Sequence, residues 1–577
     1  MLSAEAEKII IRTRTLCDGR GEKKSLCFSN QRRFYRISQI ADFIVNKTTC
    51  NYKRGGNEMQ HSFKYDQNSA VVETQQGKVR GYMEDALTIF KGIPYAHSVR
   101  FHTPEKVKPW EGTLDATSYG YVCPLLDLTG RPNGELLVPH RYWVMNEDCQ
   151  NLNIWTPGCD DGKRPVLVWL HGGGFEAGSA IEHIAYDGAS MSQNGQVVVV
   201  TINHRLNVLG YFDLSDFGEE YANSGNAGTD DIIAALQWIK ENIASFGGDP
   251  GNVTVFGQSG GGAKVTTLLQ TPAADGLFHK GVNMSGVIGP VLADATGSGK
   301  ELAEAILQEL SLKDVRELET VPYALLAAAY VKLRPSFASA GKYVGGRPHP
   351  NAFYKGTPVE NGFRPESEKI PMMIGSVFGE FTSFIPTPYD KGQLSVRDGE
   401  AMVKKVLGEE AAEKLLPLFT EAYPERNPVD LLTIDYIFRW PEQEYLRKRS
   451  ALNTCTYAYL FDEDMPVDGG RTPWHCSDIP FFFRNLDLVP VAAGAENARQ
   501  LEQQIFESLM AFARTGNPNN DRIPEWPAST STEEYTMVFG KESKVRTNYD
   551  HKLIEAVVQY GAVLGEYMKE NAGKIQH

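Results

Sequence analysis

The apolar run Val253-Thr254-Val255-Phe256 passes directly into Gly257-Gln258-Ser259-Gly260-Gly261, and Ala263 to Leu269 can then wind into a helix. A serine at the tip of so tight a strand-to-helix turn is held in a strained backbone conformation. Glycines on both sides let strand and helix pack closely, through angles a side chain would forbid. The pattern therefore demands strand, turn and helix in immediate succession. It leaves the serine oxygen exposed above a sheet edge, at the positive N-terminal end of a helix. Five residues alone could be a plain Gly/Ser loop, and the flanking patterns weigh against that.

A second glycine cluster, His171-Gly172-Gly173-Gly174-Phe175, ends another apolar run, Val166-Leu167-Val168-Trp169-Leu170. Acyl transfer passes through a tetrahedral oxyanion, which needs preorganised N–H donors. Residues without side chains let the backbone approach closely enough to supply them. The expected donors are the amides of Gly173, Gly174 and Gly260. Losing one such donor costs roughly 3–4 kcal/mol in the barrier. His171 is expected to brace the loop rather than titrate in catalysis.

A serine nucleophile needs a base, and the base needs an orienting acid. In this strand-turn-helix setting the chain order is serine, acid, histidine. Five histidines follow Ser259: His279, His349, His475, His551 and His577. His279 comes too soon after the turn, His349 sits in a Pro-rich loop, His551 opens a charged helix, and His577 is the last residue. His475 follows the apolar run Tyr457-Ala458-Tyr459-Leu460-Phe461 by a suitable loop and is the expected base. Glu380 follows the buried-strand pattern Pro371-Met372-Met373-Ile374-Gly375 and is the expected acid. A carboxylate just past a strand's C-terminal end stands where open α/β sheets gather their chemistry. Asp462, Glu463 and Asp464 are the alternatives, with a solvated acidic loop as their plainer reading.

Further motifs carry a resemblance. Gly92-Ile93-Pro94-Tyr95-Ala96, Glu147-Asp148-Cys149, Leu152-Asn153, Asn203-His204-Arg205, Asn226-Ala227-Gly228 with Asp231, and Phe246-Gly247-Gly248-Asp249-Pro250 occur in order. From about Val72 to Glu566 the chain resembles the type-B carboxylesterases, the carboxylesterase/cholinesterase group of the α/β-hydrolases. The resemblance implies an α/β-hydrolase fold, with a mostly parallel central sheet covered by helices and helical insertions capping the site. It also implies serine-dependent ester hydrolysis through an acyl-enzyme, with a Ser-Glu-His triad, in agreement with Ser259, Glu380 and His475. Departures are Gln258-Ser259-Gly260 for the usual Glu-Ser-Ala, which suggests a slightly looser oxyanion pocket, and Phe381 beside the acid. Pro139 holds the place where choline-binding members carry Trp, with Tyr142 and Trp143 out of register, so a cholinesterase is not expected. A non-catalytic binding protein on the same fold, or an amidase or lipase, are the competing functions.

At 577 residues and 42% hydrophobic the chain can bury a large core. Apolar runs expected as buried strands are Leu167–Leu170, Val197–Ile202, Val253–Phe256, Val282–Ser285 and Met372–Ile374. Residues 295–450 are richer in amphipathic helix, for example Lys300–Leu310 and Ala401–Leu407. Phe378, Phe381 and Phe384 have helical spacing around the acid, which reads as core more readily than as pocket. A net charge of -14 argues against nucleic acid. No run approaches a membrane span, and no metal-ligand or phosphate-cradling spacing occurs. Hydrolysis by a serine triad needs no cofactor, and the expected partner is a small-molecule ester.

Residues 1–58 carry 12 Lys/Arg against 6 Asp/Glu, opposite in sign to the rest. They read as a non-native or disordered extension, with Met59 as the start of a bacterial protein whose reading frame was drawn too long. Residues 59–577 then form one catalytic domain. Ile37 to Val45 is too deep and too polar for a signal peptide. The expected compartment is cytoplasmic, with Cys123 and Cys149 free although secreted members of the group join those positions. Cys476, beside His475, reads as a small buried filler.

Overall fold

Runs of β-branched residues such as Val198–Ile202 are buried at every position, the pattern of a strand covered on both faces. In the computed structural model, which describes residues 62–126, 138–287, 297–381, 389–452 and 455–572, these runs form the middle of a twelve-stranded sheet. Its strands in chain order are β1 (Phe63–Lys64), β2 (Tyr82–Glu84), β3 (Leu87–Pro94), β4 (Asn151–Thr156), β5 (Arg164–Leu170), β6 (Val198–Ile202), β7 (Gly248–Gln258), β8 (Lys280–Met284), β9 (Met372–Val377), β10 (Thr456–Phe461), β11 (Tyr535–Phe539) and β12 (Lys544–Thr547). Their spatial order is β1-β2-β3-β4-β6-β5-β7-β8-β9-β10-β11-β12. From β6 to β11 neighbours run parallel, and the pairs outside that block are antiparallel.

Alternate residues of the central strands feed two cores. Leu167, Trp169, Val199 and Phe256 pack on one face with Leu501, Ile505 and Leu509. Val166, Val168, Val200 and Val255 pack on the other with Ile232, Leu236, Val265 and Leu268. The covering helices are α1 (Ala227–Asn242), α2 (Gly260–Leu269), α3 (Arg439–Ser450) and α4 (Ala498–Thr515). Each fully buried Val or Leu on these faces contributes about 1.5–3 kcal/mol.

The helix-rich stretch expected over 295–450 builds two further cores together with residues 206–221 and 553–564. Helix Lys300–Glu309 packs on Tyr323–Ser339, and helices Val396–Leu407 and Glu409–Ala422 pack with His551–Val558. Several motif residues hold the scaffold rather than the chemistry. Arg205 makes a bidentate, fully buried pair with Asp231 at 2.7 and 2.9 Å. Arg100 makes a bidentate, half-buried pair with Glu147, and the Tyr95 hydroxyl donates to Asn203 O at 2.6 Å. Cys123 and Cys149 are free and buried. The N-terminal extension with Met59, His577 and Phe384 all lie outside the described residues.

Candidate active site

The parallel block begins with β5, and the chain then steps to β6 on one side and returns to β7 on the other, so β5 and β7 part their connections at their C-terminal ends. Crevices at such reversals are where open α/β sheets bind ligands. Leu170 of β5 pairs with Gly257 of β7, which sets the glycine loop beside the serine turn. Ser259 has φ 58° and ψ -124°, the strained turn expected of it. Its N–H donates to Met284 O at 2.8 Å, and α2 begins at the next residue. The surrounding glycines are obligatory: a Cβ on Gly261 would stand 1.9 Å from Leu170 O.

Gly173 and Gly174 have φ of 81° and 64°, which glycine alone adopts freely. A Cβ on Gly172 would be 3.5 Å from the Ser259 Cβ, so the loop lies against the serine. The carbonyls of the loop are all engaged. His171 Nδ1 donates to Gly172 O at 2.9 Å, Ala177 N to Gly173 O at 3.0 Å, and Lys264 Nζ to His171 O and Gly174 O at 2.9 Å each. Burial, then the charges of Lys264 and His204, hold the His171 imidazole well below its usual range. It is a neutral brace, stacked on His204 with centroids 4.9 Å apart. The looseness expected of Gly260 is absent. A Cβ there would lie 2.4 Å from Gly174 N and Cα, so the loop itself fills the space an alanine would take.

Glu380 lies three residues beyond β9, at φ 35° and 1% exposed. Its Oε1 accepts Val377 N–H at 2.9 Å, and its Oε2 meets His475 Nδ1 at 2.5 Å. Main-chain bonds tie the two loops together, His475 N to Glu380 O at 3.1 Å and Gly379 N to Pro473 O at 3.1 Å. A carboxylate only accepts, so Nδ1 is the donor of this bond. Among the described residues the other side chain hydrogen-bonding the imidazole is Gln258, whose Nε2 is 3.3 Å from both ring nitrogens. The ring thus reaches the serine turn through the residue before Ser259. Such bonds commonly close fully only with substrate bound.

Phe381 and Phe438 flank the imidazole, with centroids 4.3 and 5.2 Å from it. Phe378, by contrast, is buried against Tyr423 and Arg426, so the expected aromatic stripe divides between core and site. Buried carboxyls surround Glu380. Burial and then the Glu380 charge push Asp478 up to about 7 and raise Asp435, even though Asp435 accepts N–H bonds from Ile437, Phe438 and Arg439.

The remaining sequence candidates lie elsewhere. Asp462 and Asp464 bind Arg426, and Asp464 also binds Lys391, so this run is an ion-pair cluster rather than a solvated loop or an orienter of His475. His279 accepts Val253 N–H at the foot of β7, and His551 meets Glu534. Cys476 is half-buried rather than a sealed filler, and its thiol donates to Gln258 Oε1 at 3.1 Å. Burial first, then nearby carboxylates, push that thiol well up, which keeps it protonated. Sequence reasoning missed Gln258 as a contact of His475 and Lys264 as a contact of the glycine loop. The signal for Lys264 was present: it is the single charge in α2.

A mostly parallel sheet with helices on both faces, and a serine turn beside a glycine loop at its reversal point, define an α/β-hydrolase. The carboxylesterase family model matches residues 68–557, and the chain belongs to that family. It is a carboxylic-ester hydrolase. It is 34% identical over 497 residues to the para-nitrobenzyl esterase of Bacillus subtilis, covering 83% of this chain and 96% of the relative. An esterase from Clostridium hathewayi, described as able to hydrolyse aliphatic aromatic polyesters, shares 50% identity and a TM-score of 0.84, over 87% of this chain and all of that one. A Geobacillus stearothermophilus carboxylesterase shares 33% identity and a TM-score of 0.67, over 84% of this chain and 99% of its own. Among the described residues no helix is long and apolar enough to cross a membrane.

Proposed function

We propose that this esterase works through Ser259 as nucleophile, His475 as base and Glu380 as the acid that orients it. The amides of Gly173, Gly174 and Gly260 form the oxyanion hole. The observation that carries the reading is the 2.5 Å contact between Glu380 Oε2 and His475 Nδ1, on a ring that borders the Ser259 turn. His475 Nε2 takes the Ser259 proton as Oγ attacks the ester carbonyl carbon. The carbonyl oxygen becomes an oxyanion and is received by the three amides. Collapse breaks the C–O bond, and His475 returns the proton to the departing alcohol. Water, activated by the same imidazole, then cleaves the acyl-enzyme.

For substrate class, the Phe381 ring, exposed beside His475 and backed by the buried Phe438, favours esters with an aromatic acyl or alcohol part. The likeness to the Clostridium hathewayi esterase supports extending this to aliphatic-aromatic polyesters. The test compares hydrolysis of para-nitrophenyl acetate through decanoate, para-nitrophenyl benzoate and an aliphatic-aromatic polyester film by the whole chain and by Ser259→Ala. The serine form should be active, and the alanine form should lose roughly 10⁶-fold in kcat. Residual activity within about tenfold of the parent would remove Ser259 from the mechanism. Equal kcat/KM for benzoate and butyrate would remove the aromatic preference.

A further inference from the structure

Lys264 is 1% exposed, an uncommon place for a lysine. It stands four residues after Gly260, so both share the face of α2 that looks toward the glycine loop. Because Gly260 has no Cβ, Gly174 rests directly against the helix. That close approach brings the carbonyls of His171 and Gly174 to 2.9 Å from Lys264 Nζ. The Phe175 ring lies 5.6 Å from the same nitrogen, within cation–π range.

A peptide unit is planar, with C=O and N–H pointing in opposite directions. Anchoring a carbonyl therefore aims the next residue's amide. His171 and the Glu176–Ala177 turn anchor the two inner carbonyls, those of Gly172 and Gly173, and so aim the amides of Gly173 and Gly174. Lys264 anchors the two outer ones. With all four carbonyls held by donors, the loop cannot turn its peptide units freely, and the two outer anchors fix where it leaves β5 and where it meets α2.

We propose that Lys264 is a positioning residue for the oxyanion hole, its side-chain nitrogen clamping both ends of the His171–Gly174 loop from the helix that carries Ser259. The assignment rests on the reading of Gly173 and Gly174 as oxyanion donors. The clamp does not need the charge, since ammonium and neutral amine each carry two N–H groups for the two carbonyls. Burial lowers the Lys264 amine to about 7, and Glu182, the carboxyl facing it, is raised to about 7 by burial; His171 and His204 beside it are held well below their usual range.

The experiment compares Lys264→Met, which keeps length and loses the donor, with Lys264→Gln, which keeps a two-proton donor. Both are made in the full chain and measured per active site titrated with a covalent phosphonate, so that misfolded protein is not counted. An aryl trifluoromethyl ketone, which forms a tetrahedral adduct with the serine, supplies the second readout. Lys264→Met is expected to lose about 10–100-fold in kcat and a similar factor in ketone affinity, less than removal of a donor itself, with KM changed less than about twofold. Lys264→Gln is expected to recover part of both. A kcat within about twofold of the parent, or a loss confined to KM, would overturn the assignment. So would failure of both variants to fold, which would make Lys264 a core residue only. Ser259→Ala separates this from the wider reading: if it stays active, the triad falls and not merely the clamp.

Discussion

The Ser259 side of the site is made of main chain, and the His475 side of side chains. Around Ser259, glycines at 172–174, 257, 260 and 261 let backbone touch backbone, and each loop carbonyl has a donor. Around His475, a carboxylate, an amide and two aromatic rings meet an imidazole held beside the loops after β9 and β10, and a thiol holds that amide from behind. The first arrangement fixes geometry by excluded volume. The second fixes it by hydrogen bonds and ring contact, which tolerate small changes of shape but not changes of proton inventory. Substitutions should therefore fail for different reasons on the two sides.

The largest effect separates them most cleanly. Glu380→Gln preserves shape and changes the protons. It should cost about 10⁴-fold in kcat, by favouring the wrong imidazole tautomer, with the thermal midpoint little altered. Gly260→Ala does the reverse, adding one methyl and no polarity. That methyl meets Gly174 at 2.4 Å, so the loop must move, and kcat should fall about 10²–10³-fold while KM stays near the parent value. Equal tolerance of alanine at 260 and of glutamine at 380 would break the contrast.

Smaller effects sharpen it. Phe381→Ala removes a ring that is 45% exposed and rests on His475. It should reduce kcat less than about tenfold while raising KM for aryl esters more than for alkyl esters, as steady-state kinetics would show. Stability against pH gives a reading from the main-chain side. The Lys264 amine is lowered to about 7 from 10.5, so between those values the unfolded chain binds the extra proton. Its contribution is fully present above 10.5 and is lost as pH falls through about 7. Urea midpoints should thus rise from pH 7.5 to 9.5 more steeply in the parent than in Lys264→Met, with Glu182, His171 and His204 unchanged in both. Cys476→Ser is expected to have the least effect, a kcat within about twofold, since its thiol serves only the Gln258 amide.

Much of this was legible beforehand because it depends on local pattern. The strand expected at Val253–Phe256 lies within Gly248–Gln258, and the run expected at Met372–Ile374 extends to Val377. Glu380 and His475, 95 residues apart, were each found from the strand they follow, since position past a strand end is a local property. The unreadable parts depend on partners without a pattern. Lys264 binds carbonyls on a different element, and any residue supplies a carbonyl. The acidic run 462–464 read as solvated because nothing near it in sequence announces Arg426, which reaches it from 36 residues away. The looser pocket expected of Gly260 failed for a similar reason: a missing methyl says nothing about which neighbour moves in.

The reversal of strand order between β5 and β7 has a consequence for how such a protein can diversify. Sheet pairing sets the glycine loop and the serine turn side by side, and the stretch between β8 and β9 adds a brace, Arg334 on Glu176 just past the loop. The helical stretches between β8 and β10 share two further cores with residues 206–221 and 553–564. Insertions or deletions in those stretches that spare Arg334 would leave the Leu170–Gly257 pairing, and with it the spacing of the two turns, in place.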